Sequence, residues 1–102
     1  MNFSDYVKKY EQEAISSLQK LLKIDSVLDE TTISNGAPFG EGIKNALETF
    51  LEMAKQDGFK TFNDEGYAGV IEYGEGEEMI AVLGHLDVVP AGEGWTVPPY
   101  EG

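Results

Sequence analysis

The chain has 102 residues, of which 19 are acidic and 7 basic, so its formal net charge at pH 7 is −12. A surface this acidic repels phosphate groups, which argues against nucleic acids and anionic membranes as partners. The sequence has no cysteine, so disulfides and thiolate metal sites are excluded. Its first residues do not follow a signal-peptide pattern, and a cytoplasmic protein is expected.

The first predicted element is an amphipathic helix over residues 3–24, with Ser4 as its expected N-cap. Residues 25–42 are rich in turn formers and predict a long loop. Apolar side chains at helical spacing between Ile43 and Ala54 predict a second helix, which should end at Gly58. The first helix is predicted from apolar side chains that recur mostly every three or four residues: Phe3, Tyr6, Val7, Tyr10, Ala14, Leu18, Leu21 and Leu22.

Three strands are predicted after the second helix. Residues 58–62 and 67–73 have strand patterns on either side of a turn, and the apolar run MIAVLG at 79–84 is typical of a central strand. The expected fold class is α/β, with two helices followed by three strands of a mixed sheet. Because a central strand needs neighbours on both edges, residues 1–102 are expected to be the N-terminal portion of a larger α/β domain that continues beyond Gly102.

The single histidine of the chain, His85, directly follows the MIAVLG run. Catalytic and ligand-binding residues gather at the carboxyl ends of strands in open α/β sheets. Asp87, two residues on, projects to the same side as His85 in an extended chain, so its carboxylate can orient the imidazole toward a metal. The pair alone is a weak signal, because zinc needs three or four ligands. A Ser-His-Asp hydrolase would need a G-x-S-x-G motif, which the sequence lacks.

The stretch MIAVLGHLDVVPAGEGWTVPPYEG closely resembles the first metal-site segment of the M20 metallopeptidase family, through its G-H-x-D-V-V-P motif and Pro-Pro step. The upstream P-F-G-x-G and G-Y-A-G-x-I-E-Y-G-x-G-E pieces resemble its PepV-like (Xaa-His) dipeptidases. The resemblance implies a zinc-peptidase-like domain that hydrolyses dipeptides with a free amino terminus. It also implies a water activated by two zinc ions, which manganese or cobalt can replace.

By the same resemblance, His85 is expected to be a direct metal ligand and Asp87 the residue that orients it. The family's other ligands and its general base would lie beyond Gly102, so the 102-residue piece alone is expected to be inactive. Two alternatives stay open. One is a freestanding acidic binding module without catalysis. The other is an M20 deacylase or carboxypeptidase, against which only the P-F-G-x-G and G-Y-A-G pieces argue.

Three further features have ordinary structural explanations. Trp95 is expected to anchor its loop, although it could wall a substrate entrance. The stretch from Asn35 to Gly40 is expected to form a turn before the second helix, although a position near substrate is the alternative. An acidic cluster around two glycines is expected to be a solvated hairpin tip rather than a metal site; it comprises Glu72, Glu75, Glu77 and Glu78.

Overall fold

The computed structural model describes residues 2–102, and within them it contains three α-helices, one short 3-10 helix and a two-stranded antiparallel sheet. The α/β class is therefore confirmed, whereas the predicted count of two helices and three strands is wrong. In chain order the elements are α1 (Phe3–Lys9), α2 (Glu11–Leu22), the 3-10 helix (Glu30–Thr32), α3 (Glu41–Gln56), β1 (Lys60–Asp64) and β2 (Ala68–Glu72).

The single helix predicted over residues 3–24 is in fact two helices. Tyr10 interrupts them with φ −107° and ψ 5°, outside helical geometry. Apolar spacing continues through Tyr10, so periodicity could not reveal the break, and neither glycine nor proline marks it. The N-cap is Asn2, two residues earlier than the expected Ser4, because the side chain of Asn2 accepts a hydrogen bond from the amide of Ser4 at 3.0 Å.

The second predicted helix, α3, ends where its sequence indicates. Gly58 adopts φ +92°, and its amide donates to the carbonyl of Lys55 at 3.1 Å. The amide of Phe59 donates to the carbonyl of Ala54 at 3.1 Å, which completes a Schellman motif. This helix supplies Ala46, Leu47 and Leu51 to the buried core, and the fourth buried apolar residue described is Ala37.

The hairpin of β1 and β2 packs against α3 through a glycine. Gly69 pairs with Asn63 in the sheet, and a Cβ placed on Gly69 would lie 2.7 Å from Leu47 Cδ1 and 2.9 Å from Leu51 Cδ2. A side chain at this position would therefore force the Leu47 and Leu51 side chains to shift. The turn between the strands is held by the Asn63 side chain, which accepts from the Gly66 amide at 2.8 Å. The first two predicted strands are thus present, but β1 lies two residues later than the predicted 58–62, and β2 is one residue shorter at each end than the predicted 67–73.

The third predicted strand is wrong. Residues 79–84 form no strand, and Met79, Ile80, Val82 and Leu83 are 84–97% exposed. The run has the composition of a buried strand, but a strand also needs a hydrogen-bonded neighbour. Within the described part of the chain, β2 pairs only with β1. Composition alone therefore could not decide the conformation of this segment.

The loop over residues 25–42 is more ordered than its composition suggested. The Asp29 carboxylate caps the 3-10 helix by accepting from the Thr31 hydroxyl at 2.6 Å and the Thr31 amide at 3.0 Å. These hydrogen bonds hold the pKa of Asp29 below its ordinary value. Further on, Ser34 and Ala37 exchange backbone hydrogen bonds of 3.1 and 2.9 Å around Gly36, which has φ +85°.

Candidate functional site

The structure brings His85 and Asp87 together. The Nδ1 atom of His85 lies 3.0 Å from the backbone oxygen of Asp87 and 3.3 Å from its carboxylate Oδ1. The side chain of His85 is 85% exposed and that of Asp87 is 59% exposed. The predicted contact between the two residues is therefore present. Of the two Asp87 oxygens near Nδ1, the backbone carbonyl oxygen is closer than the carboxylate oxygen.

This contact determines which nitrogen of His85 is free. Carbonyl and carboxylate oxygens only accept hydrogen bonds, so Nδ1 must carry the proton that it shares with Asp87. In the neutral imidazole Nε2 then has the free lone pair. An imidazole held in this way through Nδ1 is the usual arrangement of a histidine that binds a metal through its other nitrogen.

The segment that carries this pair is attached to the chain sixty residues earlier. The hydroxyl of Ser26 donates to the carbonyl of Leu86 at 3.0 Å, and the carbonyl of Ser26 accepts from the amide of Val88 at 3.1 Å. Val27 and Val88 form a parallel bridge beside these bonds. Ser26 is only 4% exposed, the one buried polar side chain in the described part of the chain.

Ser26 was missed by the sequence analysis. It stands in a loop rich in polar residues, where a serine is unremarkable, and its partners are 60 residues away along the chain. Local patterns report spacing within one element and carry no signal for a bridge of this length. Only the burial of the hydroxyl and its two-sided pairing reveal its role.

Other groups pack around the same attachment point. The half-buried Tyr100 phenol has a raised pKa because it loses solvent, and the negative charge of the nearby Asp25 carboxylate raises that pKa further. Gly42, in the first turn of α3, lies so close to the Asp25 carbonyl that a Cβ there would overlap it. Residues 25–27 thus lie between α3 and the chain around residues 86–100, and Ser26 is the buried one of the three.

The remaining predicted features have structural roles. Trp95 donates from Nε1 to the carbonyl of Ala91 at 2.9 Å, which ties its own loop as expected. Phe39 contacts Tyr67 edge-to-face, with ring centroids 5.6 Å apart, and Gly66 packs against the backbone at Gly36. The 35–40 stretch is therefore a turn that lies against the hairpin.

His85 has too few neighbours to hold a metal by itself. Within residues 2–102, no group of three or more His, Cys, Asp or Glu side chains is placed to coordinate an ion. Its exposed Nε2 fits one corner of a tetrahedral site, for which further ligands would be needed.

The same described residues contain no helix that is both long and apolar enough to span a bilayer.

Comparison with known proteins finds relatives over nearly the whole chain. It is 47% identical over 100 residues to the protein named "Putative dipeptidase YtjP" of Bacillus subtilis (strain 168), an alignment covering 98% of this chain and 22% of that protein. It is 42% identical over 99 residues to a Staphylococcus aureus (strain USA300) protein also named "Putative dipeptidase". That alignment covers 97% of this chain and 21% of that protein. No family model matches the chain. The chain spans about a fifth of the length of these curated relatives.

Proposed function

We propose that this chain is the amino-terminal portion of the catalytic domain of a metal-dependent dipeptidase of the M20 type, acting in the cytoplasm on dipeptides with a free amino terminus. The observation that carries the proposal is the imidazole of His85, whose Nδ1 is held by Asp87 while Nε2 faces solvent. The dipeptidase names of relatives that match 97–98% of the chain support the same reaction.

In this proposal each residue has a defined task. His85 contributes Nε2 to one metal ion, and Asp87 keeps the proton on Nδ1 and fixes the plane of the ring. A pair of zinc ions, or manganese or cobalt in their place, would polarise the peptide carbonyl and bring the pKa of an attacking water near neutrality. The other ligands and the general base would come from sequence beyond residues 1–102.

The test is a substrate comparison in the complete polypeptide that carries this segment. A dipeptide with a free amino group should be hydrolysed, its N-acetylated form should not, and dialysis against a chelator should remove activity that zinc or manganese restores. Hydrolysis of the N-acetylated compounds alone would assign a deacylase instead. Activity that survives complete metal removal would overturn the proposal.

A metal titration of the 102-residue chain separates the proposal from a freestanding binding module. Because His85 offers one ligand where three or four are needed, weak or absent zinc binding is expected. Calorimetry with zinc and then manganese measures stoichiometry and affinity directly. Tight, stoichiometric binding would show that the chain builds a site by itself or by self-association, and the binding-module alternative would then replace the dipeptidase.

Asp87→Asn is expected to weaken metal binding by the complete enzyme about 10-fold, near the lower end of the range for residues that orient a ligand. The asparagine oxygen still accepts a hydrogen bond but has no charge, and the shorter contact to Nδ1 comes from the backbone, which the substitution leaves in place. Competition with a chromogenic chelator measures the affinity. An unchanged affinity would mean that the Asp87 carboxylate does not act on His85.

A further inference from the structure

We propose that Ser26 is a positioning residue for His85, acting through the peptides on both sides of Asp87. The inference deepens the proposed function and rests on it only where His85 is taken as a metal ligand. Its structural part, the control of the imidazole by Ser26, is testable without any metal.

The first step is that Ser26 makes hydrogen bonds to the backbone on both sides of Asp87. Its hydroxyl donates to the carbonyl of Leu86 at 3.0 Å, and its carbonyl accepts from the amide of Val88 at 3.1 Å. These two groups belong to the residues immediately before and after Asp87. One residue thus holds the backbone on both sides of Asp87 without touching Asp87 itself.

The second step is the link from Asp87 to the ring. The backbone oxygen of Asp87 accepts from Nδ1 of His85 at 3.0 Å, the shorter of the two contacts between these residues. The direction of that carbonyl depends on the peptide that joins Asp87 to Val88. Because the Val88 amide in this peptide is bound to Ser26, the carbonyl cannot rotate freely.

The third step is the contrast in burial. His85 and Asp87 are largely exposed, and exposed side chains have many rotamers available unless something restricts them. Ser26 is 4% exposed and lies on a segment packed against α3. The buried Ser26 therefore restricts the conformation of the exposed His85 and Asp87. It does so through its hydrogen bond to Leu86, which water cannot easily replace.

The experiment uses the fact that the chain has a single histidine, so its imidazole ¹⁵N signals are unambiguous. Long-range ¹H–¹⁵N spectra recorded in mildly alkaline buffer report the ratio of Nδ1–H to Nε2–H tautomers. In the native chain Nδ1–H should predominate. Ser26→Ala removes the hydroxyl bond to Leu86 and keeps the backbone bond to Val88. Because the peptide before Asp87 is then released, the ratio should shift toward Nε2–H by about threefold, the size of one lost hydrogen bond.

Three further variants make the result decisive. Ser26→Thr keeps the hydroxyl and should give the native ratio, whereas Ser26→Cys replaces it with a slightly larger, weakly donating thiol and should give an intermediate ratio. Thr32→Val removes a half-buried hydroxyl that binds the Asp29 carbonyl and the Glu41 amide, and it should leave the ratio unchanged. If Ser26→Ala does not fold, Ser26→Cys decides the question.

A native tautomer ratio in folded Ser26→Ala, or in Ser26→Cys where the alanine variant does not fold, would overturn the proposal. In the complete enzyme the expected consequence is zinc affinity lowered about 10-fold, with KM for the dipeptide nearly unchanged. A shifted ratio without this loss of affinity would retain Ser26 as the group that orients the ring and would remove His85 from the metal site. That outcome contradicts the proposed function and leaves the positioning role standing.

Discussion

Under the proposed function, His85→Ala in the complete protein is expected to remove one metal ion and nearly all turnover of dipeptides. Substitutions of residues that merely orient a ligand cost about 10–100-fold in affinity or activity, so loss of the ligand itself should exceed about 100-fold. The fold should not suffer, because the His85 side chain is 85% exposed and its hydrogen bonds run only to Asp87. Metal content by elemental analysis and kcat/KM on a dipeptide measure the two effects together.

The matched control is Val89→Ala, which shortens an exposed side chain close to the site. Val89 is 82% exposed, so both metal content and turnover should remain native. Urea unfolding of each variant should give a free energy within about 0.5 kcal/mol of the native value, as is usual for exposed positions. Full activity and both metals in His85→Ala would exclude the proposed function, whatever the behaviour of Val89→Ala.

Local signals in the sequence predicted those parts of the fold that local interactions stabilise. The end of α3 is an example, because the Asp57-Gly58 step both stops the helix and supplies the left-handed residue that its Schellman motif requires. The contact of His85 with Asp87 is another, since residues two apart in an extended chain project to one side. Both features depend on spacing within a few residues.

The errors occur where distant partners decide the structure. The run at 79–84 has strand composition, yet its conformation depends on whether another strand lies beside it, which composition does not report. The break at Tyr10 is hidden because helical apolar spacing continues through it. For Ser26, no pattern in the adjacent sequence indicated a structural role. The residue that accepts the hydrogen bond from its hydroxyl is 60 positions away.

The attachment of the site to the rest of the fold leads to a second prediction. Gly42→Ala is expected to destabilise the chain by about 1–3 kcal/mol, the usual cost of inserting a methyl group into a packed position. At an ordinary helix position the same change would stabilise by up to about 1 kcal/mol. Here the added Cβ would overlap the carbonyl of Asp25, a backbone atom that cannot swing aside, so residues 25–27 must move as a unit.

That movement should be visible at the candidate site, because Ser26 follows Asp25 directly and holds Leu86 and Val88. The amide signal of Val88 should shift in Gly42→Ala, and urea unfolding should give the loss of stability. Gly84→Ala is the matched control: it stands next to His85, but its added Cβ meets no atom within 4 Å, so stability and the Val88 signal should stay native. A Gly42→Ala chain with native or higher stability and an unmoved Val88 amide would show that α3 does not support the 85–88 segment. The placement of His85 would then depend on local contacts alone. Packing against α3 would not be what fixes Ser26 and its hydrogen bonds to Leu86 and Val88.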